Sequence, residues 1–227
     1  MRLQQLDSLG SFSHIFFDFD GVIQDTIQIK GHCFVDAFTE SAVLEEHQRD
    51  AILLVHYEHL SLNRNKKIEL MATKLADLNF MTHDLCKLKE LVLDSYAKLW
   101  GSKMFSVDLV PGVIELLTYL TGRGVQLSIC SAMPQTDLNK IIKGLEIDNF
   151  FGQWDGWPVT KEQHIAKVID REALEPKRCA YIGDGLEDLN VASQAGINFF
   201  LKQHEFNKTI TVVEVSRCIS DFIICES

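Results

Sequence analysis

Short apolar runs recur along the chain at residues 14–17, 125–130, 178–182, 197–201 and 209–213, each bounded by charge or by turn-forming residues. Runs of that length read as strands buried in a sheet. Between them lie stretches of helical length. Residues 113–121 follow Pro111-Gly112 and stop at Gly122-Arg123-Gly124, residues 137–145 follow Pro134, and residues 162–172 follow Thr160. Strands alternating with such helices predict an α/β fold, a mostly parallel sheet covered on both faces.

Residues 27–104 break this rhythm. Apolar positions there repeat at three and four, as in Phe34/Phe38, Ile52/Val55, Ile68/Met71/Leu75 and Leu88/Leu91/Val92, with no strand-like run. About four helices inserted after the first strand account for the pattern. The expected organisation is a core domain of residues 1–26 and 105–227 with an all-helical domain of residues 27–104. Both ends of the insertion return to the carboxyl edge of the first strand, where open sheets place ligands, so a lid is expected there. The tail, residues 214–227, is amphipathic and is expected to pack on the core.

At 227 residues and 46% hydrophobic content, the chain is long enough for one substantial core. Its formal charge of −10 argues against a nucleic-acid partner, because that affinity depends on Lys and Arg neutralising phosphates. The apolar stretch near the N-terminus is too short and too charged to span a membrane. Six cysteines lie scattered with no CxxC, as expected of reduced thiols in a cytoplasmic protein. His56, His59 and His164 form no ligand pattern with neighbouring acids and are expected at the surface or at an interface.

The chemistry gathers at strand ends. Asp18-Phe19-Asp20-Gly21 follows Ile15-Phe16-Phe17 directly, so two carboxylates stand where a buried strand gives way to a turn. In extended chain, residues i and i+2 share a side, and crowding two negative charges costs energy unless a cation or proton relieves it. Ser131 ends a second strand, Lys161 opens a helix, and Gly183-Asp184-Gly185-Leu186-Glu187-Asp188 ends a third. The carboxyl ends of parallel strands are neighbours, so these groups can converge. Asp18, Asp184 and the backbone carbonyl of Asp20 would make a hard oxygen site suited to Mg2+, with Asp188 a further candidate ligand. Asp188 and Glu187 equally suit the positive end of a helix dipole.

Taken in order, Asp18-Phe19-Asp20-Gly21-Val22, Ser131, Lys161 and the Gly183 to Asp188 run resemble the four motifs of the haloacid dehalogenase-like hydrolases. The resemblance implies a Rossmann-like core with a helical cap inserted after the first motif. It implies Mg2+-dependent hydrolysis of a small phosphorylated metabolite, with a sugar phosphate one candidate. Asp18 would take the phosphoryl group as an aspartyl-phosphate, Asp20 would exchange protons, and Ser131 and Lys161 would hold phosphoryl oxygens. A sugar-phosphate mutase uses the same first motif, and a catalytically silent binding protein could keep the fold; both stay open. Within the insertion, Asn63-Arg64-Asn65-Lys66-Lys67 is similar to a Ser-Arg and lysine pattern in a subgroup linked to surface-sugar metabolism, though Asn63 replaces the serine. Arg64 and Lys67 are thereby candidates for a substrate phosphate or carboxylate, or for a solvated basic patch.

Overall fold

The computed structural model describes residues 7–80, 84–208, 210, 217–220 and 222–223. The chain divides into two compact units, residues 1–25 with 108–227, and residues 26–107. The first contains a sheet of β1 (His14–Phe17), β2 (Gln126–Pro134), β3 (Gln153–Trp157), β4 (Cys179–Gly183), β5 (Asn198–Lys202) and β6 (Cys218–Ile219). Their spatial order is β3-β2-β1-β4-β5-β6, and every pairing is parallel. All four residues of β1 and all five of β4 are buried, which explains their continuous apolar runs: a parallel strand covered on both faces has no polar side to show.

The chain winds outward from β1 through β2 to β3, then crosses to the other side of β1 for β4 and beyond. Ligands of open parallel sheets sit at such a reversal, outside the carboxyl ends of the two strands that flank it. Here those strands are β1 and β4, registered Phe17 against Ile182. The Asp18 N–H extends the ladder by donating to the Ile182 carbonyl at 2.9 Å, so Asp18 leaves β1 beside the end of β4.

Two strands differ from the sequence expectation. β3 reads Gln-Trp-Asp-Gly-Trp and lies at the sheet edge with three of its five residues half-buried, so no apolar run announces it. β6 is two residues long. The strand expected at 209–213 lies, Ile210 apart, outside the described residues. In the tail, Ile219 and Phe222 are buried. Helices α5 (Val113–Gly122), α6 (Gln135–Gly144), α7 (Lys161–Arg171) and α8 (Leu186–Gln194) complete this unit. The β2 register against β3 is interrupted between Cys130 and Pro134. Gly156 permits the close approach there, since a Cβ would stand 2.4 Å from the Met133 carbonyl oxygen.

The second unit holds α1 (Ile27–Ser41), α2 (Glu46–Glu58), α3 (Arg64–Asp77) and α4 (Leu85–Lys103). Asn63 and Asp84 accept the Lys66 and Lys87 N–H groups at 3.0 and 2.9 Å, which sets where α3 and α4 start. Their spaced apolar residues turn inside: Phe34 stacks on Tyr96 at 4.2 Å between ring centroids, and Ile52, Met71, Val92 and Trp100 are buried. Burying each such side chain contributes about 1.5–3 kcal/mol.

Among the described residues, no helix is long and apolar enough to cross a membrane. Cys33, Cys130 and Cys179 are buried free thiols, Cys218 is half-buried and Cys86 is exposed.

Candidate active site

Asp18 is 4% exposed and both its oxygens are engaged: Oδ1 accepts the Phe19 N–H at 2.7 Å, and Oδ2 lies 3.0 Å from Lys161 Nζ. Lys161 reaches that position because Thr160 caps α7. The Thr160 hydroxyl accepts the Gln163 N–H at 3.3 Å while Gln163 Oε1 accepts the Thr160 N–H at 3.0 Å. The ammonium is buried between Asp18 and Asp188, the latter at 2.5 Å.

Asp188 meets four donors. Its Oδ1 takes Lys161 and the Tyr181 hydroxyl at 3.1 Å, and its Oδ2 takes the Asp184 and Gly185 N–H groups at 3.1 and 3.2 Å. One carboxylate thus caps α8, anchors the turn after β4 and faces the lysine. Gly183 makes the room, since a Cβ there would lie 2.6 Å from both Asp188 Cβ and Tyr181 Cε1.

Asp18, Asp184 and Asp188, all buried, bring carboxylate oxygens within 4.8 Å of one another. Burial pushes the Asp18 carboxyl up to about 8 against the pull of Lys161, and the charges of Asp188, Asp184 and Asp20 add to the rise. Burial opposes the Lys161 ammonium, but Asp18 and Asp188 outweigh it and hold its pKa well above the usual lysine range. Three acids around one ammonium leave an excess of negative charge. An all-oxygen set of this kind is chemically suited to a divalent cation, which would relieve that excess.

The remaining sequence candidates are placed as follows. Ser131 is buried within the interrupted stretch of β2, its hydroxyl oxygen accepting the Met133 N–H at 3.1 Å. Asp20 is half-buried, bridged through its backbone to Gln24, and its carboxylate stands outside the group of three. Gly21, at φ 72°, supplies the left-handed residue this turn requires.

Arg64 and Lys67 belong to the helical unit. Arg64 lies over the Tyr96 ring at 5.1 Å. Lys67 is not a solvated charge: it is buried, donates to the Leu60 carbonyl at 2.8 Å and approaches His56 Nδ1 at 3.4 Å. His56 and His164, expected at the surface or at an interface, are buried too, and each has a ring nitrogen paired inside. His56 Nε2 lies 2.8 Å from the Ile27 carbonyl and His164 Nδ1 2.9 Å from Asp155 Oδ2. Sequence reasoning missed Tyr181 and His204, the latter 3.1 Å from Asp184. Tyr181 is hidden in an apolar strand, and His204 stands twenty residues from Asp184 in the sequence.

An open parallel sheet of this order, with a helical unit inserted after β1 and acids gathered at its carboxyl edge, defines an α/β protein of the capped Rossmann-like class. The chain belongs to the haloacid dehalogenase-like hydrolases, whose family model matches residues 15–202. Over 91 residues it is 33% identical to a 5'-nucleotidase of Pseudomonas aeruginosa, covering 38% of this chain and 41% of that protein. Over 99 residues it is 26% identical to a phosphoglycolate phosphatase of Synechococcus elongatus, covering 43% and 47%. The chain thus spans less than half the length of these curated relatives. Among solved structures, a predicted phosphoglycolate phosphatase from Haemophilus somnus 129pt is similar with a TM-score of 0.79 at 17% identity, covering 93% of this chain and 95% of that one. CbbY from Rhodobacter sphaeroides, in complex with phosphate, gives a TM-score of 0.69 at 13% identity with the same coverage. Identities this low establish a shared fold.

Proposed function

We propose that this protein hydrolyses a small phosphomonoester through an aspartyl-phosphate on Asp18, with Mg2+ bound by Asp18, Asp184 and the Asp20 carbonyl. The observation that carries the reading is the charge imbalance at the carboxyl edge of β1 and β4: three buried carboxylates against one lysine. A divalent cation supplies the positive charge that keeps Asp18 ionised and offsets its repulsion from a dianionic substrate.

Asp18 attacks phosphorus, the bond to the leaving oxygen breaks, and Asp20 gives that oxygen its proton. Asp20 then takes a proton from water as it attacks the aspartyl-phosphate, releasing inorganic phosphate and restoring Asp18. Its carboxylate stands outside the buried group of three, half-buried, where it can meet the leaving oxygen and then water. Lys161 has three N–H donors. Two are directed at Asp18 and Asp188, and the third serves a phosphoryl oxygen beside the Ser131 hydroxyl. Asp188 acts here as a positioning residue, since its oxygens already hold four donors.

The test is inorganic phosphate release across sugar phosphates, nucleoside 5'-monophosphates and 2-phosphoglycolate, with Mg2+ or with EDTA. Metal-dependent release, lost in Asp18→Asn, supports the proposal. Isomer formation without release would replace it with a mutase, and silence across the panel would replace it with a binding role.

A further inference from the structure

The segment after β5 folds back to the end of β4 and presents an imidazole to Asp184. His204 Nε2 stands 3.1 Å from Asp184 Oδ2. The other ring nitrogen, Nδ1, accepts the Phe206 N–H at 3.2 Å, so the ring proton must sit on Nε2 and be donated to the carboxylate. The ring is held by its backbone as well. Asn207, buried, donates from Nδ2 to the Asp184 and Lys202 carbonyls at 2.9 and 2.8 Å, while its Oδ1 accepts the His204 N–H at 2.9 Å. One asparagine therefore ties the His204 turn to the backbone of the residue whose side chain His204 meets.

A neutral imidazole is a donor at one nitrogen and an acceptor at the other, as the two contacts require.

We propose that His204 is a positioning residue that fixes Asp184 as a one-oxygen metal ligand and so biases the site toward Mg2+ over Ca2+. The proposal rests on the reading of Asp184 as a metal ligand. A hydrogen bond from a fixed donor to Oδ2 sets the rotamer of the carboxylate and opposes rotation that would turn both oxygens to the metal. Mg2+ takes six oxygens at about 2.0–2.1 Å in near-octahedral geometry, whereas Ca2+ takes six to eight at about 2.3–2.6 Å and readily accepts both oxygens of one carboxylate. Holding one oxygen away therefore penalises the larger ion. Partners in this outer position commonly change metal affinity by about 10–100-fold when removed.

The experiment measures binding with no substrate present. Mn2+ titration followed by electron paramagnetic resonance gives the affinity of the full chain, and competition by Mg2+ and Ca2+ gives their ratio. In His204→Leu, Mn2+ and Mg2+ bind about tenfold more weakly and the Mg2+ preference over Ca2+ shrinks about fivefold or more. His204→Gln, which keeps an N–H donor, restores the preference to within about twofold of wild type. An unchanged preference in His204→Leu, with binding lost in Asp184→Asn, overturns the role of His204 and leaves the metal site standing. Wild-type binding in Asp184→Asn overturns the metal reading itself and the proposal with it. The ring nitrogens of the wild type give a check that needs no variant. A proton on Nε2, with its resonance moving as Mg2+ is added, is expected, and a proton on Nδ1 overturns the proposal.

Discussion

Replacing Asp18 by Asn separates what the site costs the fold from what it does for chemistry. At an effective dielectric of about 20, the Lys161 contact at 3.0 Å attracts Asp18 by about 5.5 kcal/mol, while each neighbouring carboxylate at 4.8 Å or less repels it by about 3.5 kcal/mol or more. The two repulsions exceed the one attraction by about 1.5 kcal/mol, and the cost of burying the charge adds to the excess. The pKa gives the same sign: an acid raised from 3.8 to about 8 on folding contributes stability that is full below pH 3.8 and is lost as pH rises toward 8. In EDTA at pH 7, Asp18→Asn is therefore expected to unfold about 2 kcal/mol or more later than wild type, a Tm rise of about 4–8 °C for a chain of this length. Saturating Mg2+ reverses the ranking, since a ligand at a hundred times its Kd adds about 2.7 kcal/mol to whichever chain binds it. Phosphate release falls at least about a thousandfold. Calorimetry in EDTA and in Mg2+, beside the phosphate assay, reads all three. A less stable Asn variant in EDTA would refute the charge argument, and an active one would refute the nucleophile.

Lys161→Met is expected to move the other way, losing about 3–5 kcal/mol in EDTA because Asp18 and Asp188 are left buried with no cation between them; denaturant titration measures it, and adding Asp18→Asn should return part of the loss. Gly183→Ala puts a methyl 2.6 Å from Asp188 and Tyr181, so about 1–3 kcal/mol of stability and most turnover should go together, seen by Tm and phosphate release. His14 is buried, its pKa lowered to about 4 by burial and by the charge of His164. The unfolded chain takes up that proton below about 6.5 and the folded chain does not, so the stability His14 contributes is full above pH 6.5. As pH falls to 4 that contribution drops by up to about 3 kcal/mol; urea titrations of wild type and His14→Gln should differ in slope across that window.

Much of the architecture was legible because it is local. Four apolar runs became β1, β2, β4 and β5, and the three-four spacing of residues 27–104 became four helices, because a strand or helix buried on a given face must repeat with its own period. β3 escaped notice for the converse reason: at the sheet edge, half-buried, Gln153 to Trp157 need no apolar alternation. The acids at strand ends were visible as a set because a parallel sheet brings its carboxyl ends together. Their division of labour was not. Asp188, read as a helix-start acid or a further metal ligand, binds Lys161 and Tyr181 as well as two backbone amides, while Lys67, a candidate for substrate or a solvated patch, and His56, expected at the surface or an interface, meet inside the helical unit.

The sequence by itself determined the order of elements and the residue types available at the sheet's carboxyl edge, Asp18 and Asp20 above all, because periodicity and turn chemistry act between near neighbours. Only the tertiary structure decided that Asp18, Lys161, Asp184 and Asp188 share one buried volume while the Asp20 carboxylate stands outside that group, and that His204, twenty residues beyond Asp184, meets its carboxylate. Burial and distance set charge coupling, and neither is written in the spacing of residues along a chain.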